Sequence, residues 1–201
     1  MNFMQRAALV VLFLISLTLS AQENNTKSKF GLESKFNFGE FIFFNQMDGS
    51  AGINSDCASS FGISYSYNFK NNFWFETGLL YQKVESEITP APTALPVQPY
   101  SAEIWWMEIP MYFRMDLKPW FFFKGGAILA LQSEESLSTS LNNQGGWGVF
   151  MGMGFNIPMY KAIRLELESG IKVLSVLSFK SISNNRHYVA PTLGVRITYR
   201  K

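Results

Sequence analysis

Glu108, Arg114, Asp116 and Lys124 lie in the stretch EIWWMEIPMYFRMDLKPWFFFKGG, which is otherwise dominated by Trp, Phe, Met, Ile and Leu. Glu33, Lys35, Glu76, Arg164, Glu166, Glu168, Lys172 and Arg196 are dispersed in the same way through other apolar runs. Six of these side chains are acidic and six are basic. Such a set could line an open pore, or it could cross-link a buried interior by ion pairs. Catalysis requires a nucleophile or an activated water held against an oriented base. The single His, His187, has Ser181 and Ser183 upstream but no acidic residue near it in sequence, so no enzyme is expected. One Cys makes no intramolecular disulfide. Cys57 lies in the polar segment DGSAGINSDCASS and reads as a loop thiol. With one His and one Cys, no metal-ligand spacing exists, and no cofactor is expected. The charges therefore read as a structural network.

The elements that would position them repeat with period two, the signature of β-strands. Phe61, Ile63, Tyr65, Tyr67 and Phe69 alternate with small polar residues. Phe73 to Gln82, Trp105 to Leu117, Phe121 to Gln132, Trp147 to Ile157, Ile163 to Val173 and Val189 to Arg200 behave alike, with a weaker run from Phe30 to Gly39. That gives eight strands of about ten residues, the number and length that suit a membrane barrel. No helical period competes. Pro110, Pro158 and Pro191 interrupt the pattern, and bulges or frayed ends are expected there because proline cannot donate to a ladder.

The connections alternate in length. NQMDGSAGINSDCAS, SEITPAPTALPVQPYS, SEESLSTSLNNQG and SFKSISNNRH are long, whereas KNN, KPW and MYKA are short. Outer-membrane barrels place long loops outside and short turns in the periplasm. The start of the chain agrees: Arg6, the apolar run Ala7 to Leu19 and the small residues of LSAQ read as a secretory signal peptide, residues 1–21, cleaved near Ala21–Gln22. Residues 22–29 read as a flexible tail and 30–201 as the barrel domain. A net charge of +2, with basic residues spread singly, gives no reason to expect nucleic acid as a partner.

Alternation does not say which face is inside. A soluble barrel buries its apolar face, and a membrane barrel exposes it. The lumen of eight strands is only wide enough to be filled by side chains. The apolar face here is crowded with Phe, Trp, Met, Leu and Tyr, and the other face is rich in Gly, Ser and Thr. Small residues and interlocking charges suit the narrow interior. The reading is an all-β, eight-stranded antiparallel up-and-down transmembrane β-barrel with a plugged polar lumen. Aromatics at the expected periplasmic rim are Phe69, Phe73, Trp120, Phe121, Tyr160 and Tyr199.

WWMEIPMYFRMDLKPWFFFKGGAILAL, NNFWFETGLLYQK and YVAPTLGVRITYR resemble the central and closing strands of the PorT-like outer-membrane beta-barrel family, small barrels of Gram-negative bacteria. The resemblance implies an eight-stranded outer-membrane barrel of mostly unassigned role, some members being associated with protein secretion. VRITYRK is similar to the C-terminal signal read by the barrel-assembly machinery, with Arg200 and Lys201 displacing the usual terminal aromatic. Expected partners are outer-membrane lipid, that machinery during biogenesis, and a protein docking on the extracellular loops, for which the proline-stiffened EITPAPTALPVQPY is the candidate surface. The expected role is structural or interactive, in secretion or surface attachment. A narrow outer-membrane channel and a soluble periplasmic ligand-binding barrel remain the alternatives.

Overall fold

A computed structural model describes residues 28–43, 52–55, 57–89, 98–132, 145–179 and 186–200. Eight antiparallel strands form a closed ring. They are β1 (Ser28–Asn37), β4 (Ala58–Lys70), β5 (Phe73–Thr89), β6 (Tyr100–Lys118), β7 (Phe121–Gln132), β8 (Gly146–Tyr160), β9 (Ile163–Ser178) and β10 (Arg186–Arg200). Each pairs with the next, and β10 returns to β1, with Lys29 opposite Arg200 and Asn37 opposite Thr192. Two four-residue strands extend the wall at one end: β2 (Glu40–Phe43) pairs with β10, and β3 (Gly52–Ser55) pairs with β5.

The three short turns share one end of the ring with both strand termini, Ser28 and Arg200. Asn71 and Lys161 take positive φ, 44° and 42°, the left-handed geometry that matches a tight hairpin to strand twist. Asn68 Nδ2 donates to the Asn71 carbonyl at 2.7 Å, which ties down the first turn. The strand entering each turn slips register, between Asn68 and Lys70, Asp116 and Lys118, and Pro158 and Tyr160.

The other end extends further than the pattern implies. SEITPAPTALPVQPYS contributes Ser86–Thr89 to β5 and Tyr100–Ser101 to β6, and the first long connection contains β3. Pro90 to Val97 lie outside the described residues, as do residues 1–27, 44–51 and 133–144 and both Ser181 and Ser183. Ser28 and Lys29 belong to β1 and not to the tail expected through Lys29.

The three prolines behave differently. Pro158 sits at a register slip. Pro191 falls where β10 changes partner from β1 to β2. Its carbonyl accepts from Phe38 N–H at 2.9 Å, and the donor it lacks coincides with the break at Phe38–Gly39. Pro110 has no bulge, contrary to expectation. The β5–β6 ladder instead lapses between Thr77–Met111 and Leu80–Glu108 and resumes in the same register. A missing N–H removes a bond without adding a residue, so the strand need not shift.

Outward positions form an apolar belt around every strand of the ring. Phe30, Leu32, Phe61, Ile63, Tyr81, Phe113, Met151, Ile171, Leu193 and Ile197 are all exposed, with Met151 reaching 74%. Water tolerates isolated apolar residues but not a continuous band of this size. The predicted rim aromatics lie at the short-turn end: Phe69 contacts Phe73, and Trp120 stacks on Phe155 at 6.0 Å with planes 5° apart. At the far end, Tyr81 stacks on Trp105 at 5.2 Å, and directly above them the outward face turns charged. Lys83 there bridges Glu85 at 2.6 Å and Glu103 at 3.0 Å. Hydrogen bonds to Glu85 and then Glu103 raise its pKa above the ordinary lysine value.

Candidate functional site: a lumen filled in two layers

Inward positions alternate with the belt, on odd numbers in β1 and even numbers in the other seven strands of the ring. They converge on a charged layer toward the short-turn end. Glu76 is its hub. Its Oε1 accepts from Arg114 Nη1 at 3.0 Å, and its Oε2 accepts from Arg196 Nη2 at 2.8 Å and Lys124 Nζ at 3.5 Å. Glu166 Oε2 accepts from Arg114 Nη1 at 2.9 Å and faces Arg196 Nε at 3.1 Å. Glu168 pairs with Lys35 at 3.0 Å and with Lys124, and Lys35 also meets Glu33 at 3.0 Å. Arg114 completes its set with Asp116 at 2.7 Å and Asn156 Oδ1 at 2.8 Å. Removing one member would leave its partners charged and buried, which is the costly case.

Aromatic rings fill the space between these ions. Tyr112 and Phe150 pack at 5.0 Å, with the ammonium groups of Lys35 and Lys124 within 5.5 Å of both rings. The Arg114 guanidinium lies 3.8 Å over Phe122, and Lys29 Nζ lies 3.8 Å over Trp74. Such cation–ring contacts are favourable and strengthen when desolvated. The glycines of β8 make this packing possible. A Cβ on Gly154 would stand 2.4 Å from Phe122 Cζ and 2.4 Å from the Leu167 carbonyl oxygen. Gly154→Ala is therefore expected to destabilise the barrel by about 1–3 kcal/mol through overpacking, read as a lower urea midpoint in detergent micelles.

Above the charged layer, Lys172 reaches Glu108 at 2.9 Å and also contacts Gln82 Oε1. Asn37 donates to Gln82 Oε1 at 3.3 Å and accepts from Thr192 Oγ1 at 2.9 Å. Beyond this level the lumen is mainly apolar, with Ser86 the buried polar exception on β5. Val84, Ile88, Ile104, Trp106, Ile128, Ala130, Leu174 and Ala190 are buried there, capped by Phe41 and Tyr188.

The predicted network is brought together almost whole. Glu33, Lys35, Glu76, Glu108, Arg114, Lys124, Glu166, Glu168, Lys172 and Arg196 are buried in the lumen, with Asp116 at its edge. Arg164 departs from the prediction. It is half-buried, opposite Pro158 and Thr198 near the short-turn rim, where a strand end opens toward solvent. Lys29 was missed, although it continues the odd-numbered series Lys35, Glu33, Gly31. The apolar layer was also missed, its signal being Val84, Ile88 and Ile104 on even numbers in segments that resemble loop. Cys57 is exposed beside Ala58. Among the described residues, no group of three metal-ligating side chains occurs.

Comparisons with known proteins agree with this geometry. No curated protein matches the sequence. Among solved structures, the chain is similar to the outer membrane protein OprG from Pseudomonas aeruginosa, at 10% identity and a TM-score of 0.54, over 89% of this chain and 98% of that one. The translocator domain of the autotransporter NalP from Neisseria meningitidis (10% identity, TM-score 0.43, 98% and 96% covered) is a more distant neighbour. So is Ail, the attachment invasion locus protein of Yersinia pestis (10% identity, TM-score 0.40, 88% and 100% covered). The OprG likeness speaks for the fold. The model of the outer membrane protein beta-barrel domain matches residues 9–200. With nearly the whole chain matched, and with a closed eight-stranded ring belted in apolar side chains, this protein belongs to the outer membrane protein beta-barrel family.

Proposed function

We propose that the protein is a closed outer-membrane barrel that works by presenting its extracellular end to a partner, and not by conducting solutes or catalysing a reaction. The observation that carries this reading is the filled lumen. Ion pairs centred on Glu76 and the apolar layer around Trp106 together occupy its height. An open pore of eight strands would need small or absent inward side chains at some level. Here Arg114, Arg196, Trp106, Tyr112 and Phe150 all point inward and are buried.

The chain is exported with cleavage after Ala21, handed to the barrel-assembly machinery, and inserted with its short turns in the periplasm. The β5–β6 hairpin then stands above the lipid on the outside, together with β3, as a rigid base for the proline-rich connection between them. A protein docking there, in secretion or in surface attachment, is the partner this shape suits. Secretion enters this reading only through the PorT-like resemblance, and no single residue of the chain carries it over. The exposed belt weighs against a soluble periplasmic barrel, since water would meet Phe61, Phe113 and Met151 together.

Planar-bilayer recording of the purified protein tests the closed lumen. The expected trace is silent across salt concentrations and voltages. Reproducible discrete steps would replace this reading with the narrow channel.

A further inference from the structure

Phe41 reaches the lumen on a strap of four residues. The strap, β2, is Glu40–Phe43 and pairs with β10, from Glu40 opposite Val189 to Phe43 opposite Arg186. It is hinged off β1 by the break at Phe38–Gly39, the point where Pro191 deprives the ladder of a donor. The hinge glycine is required by crowding. A Cβ on Gly39 would lie 2.5 Å from Tyr188 Cζ and 2.6 Å from the Ala190 Cβ. From this strap the Phe41 ring packs 5.2 Å from Tyr188 and 6.1 Å from Trp106, which are themselves 5.5 Å apart.

Polar atoms lie among and beside these rings without a hydrogen-bond partner among the described residues. Trp106 Nε1 and Tyr188 Oη make no hydrogen bond among the described residues, and neither does Nε2 of Gln82, the register partner of Trp106. Trp106 and Gln82 are fully buried, and Tyr188 is 1% exposed. Each of these groups gives up its hydrogen bonds to water on burial. A cover that lifts restores them.

We propose that β2 is a hinged stopper. With Phe41 seated, the outer half of the lumen is shut. When the strap swings out about Phe38–Gly39, Trp106, Gln82 and Tyr188 meet extracellular water, while the charged floor around Glu76 stays closed. The inference rests on the closed-lumen reading, since a stopper needs a floor beneath it. It makes the outer half of the barrel a recess of switchable access, with donors and an aromatic wall inside.

Thiol labelling of intact cells with a membrane-impermeant maleimide tests it, in a Cys57→Ser background. Ala130→Cys places a probe in the apolar layer, and Ser64→Cys places one beside the buried floor. The Ala130→Cys probe is expected to label slowly, and at least tenfold faster when Phe41→Ala is added. Phe41→Leu should restore the slow rate. Ser64→Cys should stay unlabelled throughout. Heat-modifiability on a gel confirms that each variant is folded. Unchanged labelling of the Ala130→Cys probe in a folded Phe41→Ala variant overturns the stopper. Labelling of the Ser64→Cys probe overturns the closed floor instead, so the two failures are told apart.

Discussion

Glu76→Gln is expected to destabilise the barrel by roughly 3–5 kcal/mol, the range for breaking a buried pair and leaving the opposite charge uncompensated. Three cations converge on this one carboxylate, from β6, β7 and β10: Arg114, Lys124 and Arg196. Gln keeps the shape and removes the charge, so the loss reports electrostatics and not a cavity. Equilibrium urea unfolding in lipid vesicles, followed by tryptophan fluorescence, measures it. The double variant Glu76→Gln/Arg196→Met should recover part of the loss, because it removes one of the stranded cations together with the anion. A change below about 1 kcal/mol in the single variant would mean that Glu166 and Glu168 already suffice to hold the three cations.

Met151→Arg is expected to cost about 2–4 kcal/mol, the range for Arg on the lipid face at the bilayer midplane. Met151 lies mid-strand in β8, between Gly125 and Ile171 on its neighbours, and is the most exposed apolar side chain of the belt. Met111, one row nearer the outer end between Thr77 and Ala127, should respond similarly. Glu103→Arg is the control. It sits outward above the Tyr81–Trp105 stack, and there the same side chain should be nearly silent. Unfolding in vesicles of known thickness gives the comparison. Equal small effects at Met151 and Glu103 would mean that both face water, which would revive the soluble barrel.

The belt and the charged layer were legible because each is written on one phase of a period-two pattern. Between Phe61 and Phe69, or between Trp147 and Ile157, alternate residues leave no doubt about which share a face. The charges followed from that phase, since lysines and glutamates among aromatics are stable only if they meet each other. The upper lumen was harder to read. Ser86 to Thr89 and Tyr100 to Ser101 flank four prolines, so local composition says loop where the strands in fact continue. In that extension both faces change character. Val84, Ile88 and Ile104 are apolar inward, and Glu85 and Glu103 are charged outward, because the solvent outside is now water. The pattern inverts where the membrane ends, and a single rule of apolar outside misreads everything above it. β2 and β3 are too short to show a period at all. Arg164 carries the right phase, but depth along the strand decides whether it is covered, and phase does not encode depth.

The hub of the lumen joins distant parts of the chain. Glu76 is 120 positions from Arg196, and Asn37 is 155 from Thr192. No partial sheet lacking β10 can neutralise Glu33, Glu76 and Glu166 with the Arg196 guanidinium. The final strand of the ring therefore carries a key that locks the first, and a sheet without it lacks a cation that three inner carboxylates share. Closure is therefore expected to be cooperative: when β10 docks on β1, the Arg196 ion pairs act as a clasp that makes it hard to reverse.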